Sequence, residues 1–243
     1  MKKQTIKPCC EIKTPIAPTF ISGGIVSTGA EIPGFLADKL LGIGGDVSTT
    51  IKATPVNFLL NGFSFTQYDI VKELYQKNDP KKEDPNWKLG LKIGATTAII
   101  QSLLTVPIDS FTKKERKEDG SVKKSGMVED FIDNWVSSVP PSAFFAAFAE
   151  EMGPKFAAFG NARKFSPNEK ICLNFALGAS SALFSNYCSK PFEFAKQKVL
   201  GKSDESCLDF LKKQFKPSLA GAVRAGAMMA CFGPTFAKVK TLL

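Results

Sequence analysis

Four charged residues lie inside long apolar stretches of the sequence, where a charge is costly unless it has a partner. They are Lys52, Asp109, Glu193 and Arg224. A carboxylate or a cation in such surroundings can form an ion pair, bind an ion of opposite sign, or line a polar cavity. We therefore expect each of the four to face a cavity or a partner.

The composition excludes several kinds of catalytic site, because the 243 residues contain no histidine. A Ser-His-Asp or Cys-His pair, a histidine-ligated metal and a histidine acid or base are all ruled out. The six cysteines lack C-x-x-C spacing, so we expect buried thiols of a reducing compartment rather than a metal or disulfide framework. We predict no enzyme, no catalytic residue and no metal site.

A proline followed by an acid and a base recurs along the chain. The segment from Pro191 to Lys198 reads P-x-[DE]-x-x-[KR]-x-[KR], with Glu193 and Lys196 as acid and base. Related segments begin 84 residues earlier, at Pro107, and another 74 residues earlier, at Pro33. The proline kinks a helix, and an acid and a base three residues apart share one helix face. Three such helices around an axis could link acids to bases in a ring that closes a pore.

Six apolar stretches approach the length of about 20 residues that a helix needs to cross a bilayer. They cover about 16–41, 49–75, 89–111, 131–159, 171–194 and 217–239. Each contains glycine or proline, which membrane helices tolerate, and small residues that allow close helix contact. The alternative is a soluble all-helical protein, but charged residues inside apolar stretches favour a membrane protein.

The chain divides into a polar N-terminal tail, 1–17, and a helical domain, 18–243. The tail lacks the apolar region and cleavage site of a secretory signal peptide. Within the domain, three segments of similar organisation cover about 18–76, 88–160 and 168–243.

This organisation resembles the mitochondrial carrier family, in which three two-helix repeats carry the proline motif on the odd-numbered helices. The second stretch resembles the even-helix pattern of the family, since Lys52 precedes Tyr68, Asp69 and Lys72. Two amphipathic segments, 127–135 and 207–215, resemble its short matrix helices. The resemblance implies an all-α membrane protein with six transmembrane helices, pseudo-threefold symmetry and a place in the mitochondrial inner membrane.

On the matrix side, the resemblance implies a ring of ion pairs from which several members are missing. Among the matching positions, Asp109 with Lys196 is the one complete pair, whereas Glu193 faces Asp38, a second carboxylate, unless Lys39 or Lys113 compensates. The residues of this candidate gate are Pro33, Asp38, Pro107, Asp109, Lys113, Pro191, Glu193 and Lys196.

On the cytosolic side, the candidate gate consists of Tyr68, Asp69, Lys72 and Lys240. Overlaying the even helices aligns Asp69 with Met152, Lys72 with Ala237 and Lys240 with Ala149, so no pair is complete. A shift of one or two residues in the fourth stretch would bring in Glu150 or Glu151.

The substrate positions of the family correspond to Lys52, Ser137 and Arg224. Two cations facing one cavity would suit a carboxylate or a phosphate, so the implied small-molecule partner is anionic. Alternatively, Lys52 and Arg224 are relics that pair with Asp or Glu, or snorkel to the interface. No cofactor is expected, and the candidate bound molecule is a phospholipid such as cardiolipin.

The incomplete gates favour a degenerate carrier-fold protein that serves as a structural or accessory subunit of a membrane complex, such as a respiratory-chain assembly. Alternating access needs two gates that bias a two-state equilibrium, and few of the gate pairs remain. The alternative is an active carrier that exchanges an anionic metabolite. The net charge of +9 would suit a nucleic-acid binder, but its charged segments mix signs, and we expect no nucleic-acid partner.

Overall fold

The computed structural model describes residues 12–43, 47–78, 85–112, 127–199 and 206–243, with side chains except at 47–54, 107–112, 127–129 and 199. Within these ranges the protein is all-helical. The six helices are α1 (Ile16–Leu40), α2 (Val47–Asn78), α3 (Asn86–Thr112), α4 (Met127–Ala162), α5 (Pro167–Val199) and α6 (Cys207–Leu242). The prediction of six helices is confirmed.

Local sequence explains where several helices end. Gly42 follows α1 with φ +66°, a conformation that glycine adopts without steric cost, and its N–H donates to the Lys39 carbonyl. Before α5, Ser166 and Glu169 form a capping box, in which the Glu169 carboxylate accepts from the Ser166 N–H at 2.7 Å. Ser206 caps α6 by accepting from the Asp209 N–H at 3.2 Å.

The start of α1 is held by a carboxylate from the end of α2. Pro15 at the helix start provides no side-chain cap. Instead, Glu73 accepts hydrogen bonds from the backbone N–H groups of Lys13 and Thr14, at 2.8 and 2.9 Å, and from the Thr14 hydroxyl at 2.8 Å. Lys77 also pairs with this carboxylate at 2.7 Å. This contact joins the start of α1 to the end of α2 in an antiparallel hairpin.

The helices pack in a closed ring. Each described helix packs against the helices that precede and follow it in the chain, and α1 packs against α6. The most extensive packing is between α3 and α4, and the least extensive is between α2 and α3. The ring places side chains of non-adjacent helices opposite each other across its interior.

Small residues bring neighbouring helices into contact. A Cβ atom on Gly90 would lie 2.5 Å from the Ala146 carbonyl oxygen, and one on Gly94 would lie 2.3 Å from that of Ser142. Gly178 stands in the same relation to Ala225 between α5 and α6, at 2.5 Å. Glycine therefore sets the spacing of these helix pairs, as it does in membrane helices.

Several of the fully buried side chains are small and polar, whereas many large apolar side chains are exposed. The largest fully buried side chains include Ser22, Ser102, Ser181 and Ser189. Large apolar side chains such as Ile32 and Leu40, which are 68% and 88% exposed, lie on the outside. Two helical segments, Ile16–Leu40 and Asn86–Val106, are long and apolar enough to cross a membrane. This arrangement is typical of helices whose surroundings are apolar.

Two sequence predictions require correction. The segments 127–135 and 207–215 are not separate short helices, because each is the first part of a continuous 36-residue helix, α4 and α6. Among the described cysteines, Cys172, Cys207 and Cys231 are exposed rather than buried, and Cys188 is half-buried. A thiol on the outer side of a ring with an apolar exterior behaves as a small apolar group. Cys9 and Cys10 lie outside the described residues.

Candidate functional site

A polar link crosses the ring interior between α2 and α4. The Glu150 carboxylate accepts hydrogen bonds from the Lys72 ammonium at 2.6 Å and from the Tyr68 hydroxyl at 2.7 Å. All three side chains are half-buried, and α2 and α4 are not neighbours in the ring. The link therefore ties together two even-numbered helices across the interior.

An aromatic contact joins α2 to the third even-numbered helix. Phe65, one turn before Tyr68, stacks on Phe232 of α6 with 4.7 Å between ring centroids and 11° between ring planes. Phe232 in turn stacks on Phe236, at 5.9 Å. Helix α2 thus contacts α4 through a polar link and α6 through an apolar one, so the three even-numbered helices converge in this part of the ring.

The predicted pairing on this side was wrong in its partners. Lys72 does not face Ala237 of α6 but binds Glu150 of α4. The described salt bridges include none formed by Asp69, which is half-buried on α2. Lys240 is exposed near the end of α6, with no ion-pair partner among the described residues. The Lys72 pair is therefore not one of the three pairs that the overlay considered.

In the second half of α1, two acids bind Arg224 of α6. Its guanidinium donates a very short hydrogen bond to the Asp38 carboxylate, and its Nε lies 3.5 Å from Glu31 Oε2. The side chain of Asp38 is only 15% exposed, so water screens this pair less than it screens a surface pair. Two carboxylates and one guanidinium give the group a formal net charge of −1. Such a group does not attract an anion.

The base of the third proline motif is also bound by a neighbouring helix. Lys196 of α5 lies 2.5 Å from Asp133 Oδ1 of α4 and donates to the Ser137 hydroxyl at 3.1 Å. Ser137, predicted as a substrate position, therefore accepts a hydrogen bond from Lys196. Glu193, the acid of the same motif, binds Lys190 of its own helix at 2.7 Å.

The predicted contact between the carboxylates of Glu193 and Asp38 stays a prediction, and each carboxylate has its own cation, Lys190 and Arg224. Arg224 compensates Asp38, which had been expected of Lys39 or Lys113. Lys39 instead lies 5.1 Å from the centre of the Phe35 ring. The predicted pair of Asp109 with Lys196 stays a prediction, because the side chain of Asp109 lies outside the described residues.

Several candidate positions cannot be assigned contacts. The side chains of Lys52 and Pro107 belong to helices α2 and α3 but lie outside the described part, as does the whole of Lys113. Pro33 and Pro191 lie inside α1 and α5, as the motif predicts.

Sequence reasoning missed Glu31 and Asp133 as partners of the predicted cations. A signal for Glu31 was present, because it precedes Asp38 by seven residues, or two helical turns, and so lies on the same helix face. Asp133 lies four residues before Ser137, which is about one turn away on the same face. In each case the missed acid lies one or two turns from a predicted residue on the same face.

No family model, curated protein or solved structure matches this chain in the comparisons made with each of these three sets.

Proposed function

We propose that this protein is a membrane-embedded, carrier-like six-helix bundle that acts as a structural subunit of a mitochondrial inner-membrane complex and does not transport an anion. The closed ring, the glycine contacts between helices and the exposed apolar side chains support the bundle in a membrane. The location rests on the resemblance of the proline motifs, which also supplies the expected orientation of the helices.

The observation that carries the structural role is the pairing of Arg224 with Asp38 and Glu31. A carrier of carboxylates or phosphates needs a cation that is free to bind the substrate. Here the guanidinium already has two carboxylate neighbours, and releasing it would leave both acids without a cation in an apolar helix. The free-energy cost of leaving the carboxylates of Asp38 and Glu31 without a cation opposes substrate binding at Arg224.

The charges of the third proline motif support the same role. Lys196 binds α4 and Glu193 binds its own helix, so neither links α5 to another odd-numbered helix through the described contacts. Ion pairs between adjacent helices stabilise one arrangement of the ring. The Lys196 pair joins the third repeat to the second through an even-numbered helix, which differs from the pairing of odd-numbered helices that the resemblance implies for a gate.

Solubilisation of the native membrane in mild detergent, followed by native gel separation and identification of co-migrating chains, tests this proposal. We expect the chain to migrate with a large assembly at fixed stoichiometry. Migration as a free species of 26.3 kDa plus detergent would contradict the structural role.

One observation favours a second candidate function, an active anion carrier. The link of Lys72 and Tyr68 with Glu150 has the form of a gate, since it joins helices across the interior and could open. This candidate predicts saturable exchange of radiolabelled dicarboxylates or nucleotides by the purified chain in liposomes. The structural role predicts no exchange above protein-free liposomes.

A further inference from the structure

A cavity of about 290 Å³ lies between α3 and α4, and the described residues that line it are mostly polar and carry no charge. Its lining includes two carboxamides and four hydroxyls, from Gln101, Asn134, Ser102, Thr105, Ser138 and Ser142. Since one water occupies roughly 30 Å³ in the liquid, the cavity has the volume of about ten waters. It is therefore large enough for a small organic molecule.

The position of the cavity makes its polar lining unusual. Gln101, Ser102 and Thr105 belong to Asn86–Val106, one of the two segments that are apolar enough to cross a membrane. Polar groups in such a segment are costly unless they are hydrogen-bonded, so the groups of this cluster without a described partner are the ones to which a polar ligand would bind.

Hydrogen bonds within the cluster fix the orientation of Asn134. Its Oδ1 accepts from the Ser102 hydroxyl at 2.8 Å and lies 3.3 Å from that of Ser138. The same two hydroxyls also donate to backbone carbonyls, Ser102 to Ala98 at 2.8 Å and Ser138 to Asn134 at 2.7 Å, so the Asn134 oxygen shares its donors with them. The Asn134 amide N–H groups have no protein acceptor in the described part of the chain, and they remain available to a ligand.

Gln101 and Ser142 provide further unused groups. The Gln101 carboxamide and the Ser142 hydroxyl form no hydrogen bond with any described residue, and neither belongs to the fully buried unpaired groups. Together with Asn134, they offer the cavity both donors and acceptors. The ligand must therefore offer both as well.

The described lining residues carry no charge, and this sets the chemical class of the ligand. An ion would lose its hydration without meeting an opposite charge, which opposes binding. A carboxamide presents an acceptor and a donor side by side, and two neighbouring hydroxyls can match both at once. We propose that the cavity between α3 and α4 binds a vicinal diol, such as the glycerol unit of a free polyol or of a lipid headgroup, through Gln101 and Asn134.

The test compares two isomers, 1,2-propanediol and 1,3-propanediol, with the purified full chain in a detergent that lacks sugar and glycerol groups. The melting temperature Tm is measured over a concentration series of each isomer. Both isomers share the general, non-saturating effect of a co-solvent. Specific binding adds a saturating rise in Tm. We expect that additional rise with the 1,2-isomer.

Variants assign the additional rise to the cavity. Gln101→Leu should abolish it, and Ser142→Ala, a smaller change that preserves folding, should weaken binding by roughly fivefold, the equivalent of one neutral hydrogen bond. Gln76→Leu, on an exposed turn of α2, is the matched control and should retain the full rise. Equal effects of the two isomers on the wild type, or an unchanged rise in both cavity variants, would overturn the proposal.

A second pair of probes distinguishes the two sources of the diol. Glycerol represents the solute, and phosphatidylglycerol in mixed micelles represents the headgroup, with phosphatidylserine as the anionic control. A Gln101-dependent rise in Tm with phosphatidylglycerol but not phosphatidylserine would assign the cavity to a lipid, and a rise with glycerol alone would assign it to a solute. If neither probe gives a rise in Tm that depends on Gln101, the proposed site is overturned.

Discussion

The Arg224 side chain of α6 crosses directly over Gly34 of α1. A Cβ atom on Gly34 would lie 2.3 Å from both Cγ and Nε of Arg224, closer than two such atoms can approach. The absence of a side chain at position 34 is what lets the guanidinium reach Asp38, one turn further along α1. The glycine and the ion pair are therefore parts of one contact between α1 and α6.

Replacing Gly34 with alanine should displace Arg224 and weaken this contact. We expect Gly34→Ala to lower the free energy of unfolding by about 1–3 kcal/mol, as overpacking does elsewhere. Gly29→Ala, on the same helix with no atom within 4 Å of the added Cβ, is the control and should be neutral or slightly stabilising. Unfolding in mixed micelles measures both, and equal stabilities of the two variants would contradict the packing relationship.

Removing the guanidinium should cost stability because Asp38 and Glu31 would lose their shared cation. We expect Arg224→Met to lower the free energy of unfolding by about 1–3 kcal/mol. Adding Asp38→Asn should recover part of the loss, since it removes one of the two unpaired charges. Arg163→Met, at an exposed arginine just after α4 whose guanidinium lies 5.8 Å from the centre of the Phe159 ring, is the control and should change stability by less than about 1 kcal/mol. Additive effects of Arg224→Met and Asp38→Asn would contradict the coupling.

The cross-ring link can be tested by comparing two adjacent glutamates. Glu150 binds Lys72 and Tyr68 of another helix, whereas Glu151 binds Lys155 of its own helix. We expect Glu150→Gln to lower the free energy of unfolding by about 1–3 kcal/mol and Glu151→Gln to lower it clearly less, because water screens the Glu151 pair. Tyr68→Phe should fall between them. Equal losses in the free energy of unfolding for the two glutamate variants would show that the link across the ring contributes no more than a pair within one helix.

The contact between α3 and α4 should depend on Gly94. An alanine there would place its Cβ 2.3 Å from a backbone oxygen of α4, which cannot move aside as a side chain can. We expect Gly94→Ala to separate the helices and lower Tm by several degrees, as a loss of about 1–3 kcal/mol would. Gly153→Ala, whose Cβ would have its nearest neighbour at 3.7 Å, should leave Tm nearly unchanged.

The capping box before α5 should make stability depend on pH. Hydrogen bonds from Ser166 hold the pKa of the Glu169 carboxyl below its ordinary value of 4.5. A group with a depressed pKa in the folded state stabilises it above the unfolded pKa, and this contribution is lost as the pH falls through the folded pKa. Below about pH 4.5, Tm of the wild type should therefore fall more steeply than Tm of Glu169→Gln. Parallel curves for the two proteins would contradict this assignment.

Much of the helical architecture could be predicted from the sequence. The lengths of the apolar stretches and their small residues predict six helices, and Gly42 marks the end of the first. The prediction of separate helices at 127–135 and 207–215 failed because the prolines that follow them do not end the helix. Pro217, which follows the second segment, lies inside the long helix α6. A change in amphipathic character does not end a helix when the backbone geometry can continue.

The partners in the candidate site could not be predicted in the same way. Lys72 and Arg224 stand out in the sequence because they are charged residues within apolar surroundings. Their partners depend on the register between helices, and a shift of one residue moves a side chain by 1.5 Å along the axis and by 100° around it. The overlay placed the partner of Lys72 on α6, at Ala237, whereas the structure places it on α4, at Glu150.

The arrangement of the ring has a consequence for biosynthesis. Helices α1 and α2 pack least against α3, the next helix to be synthesised, and α1 packs against α6, the last one described. The first hairpin must therefore remain incompletely packed while more than half of the chain is made. Until α6 is made, Asp38 and Glu31 lack the guanidinium of Arg224, so a nascent or truncated chain carries uncompensated acids that distinguish it from the completed protein.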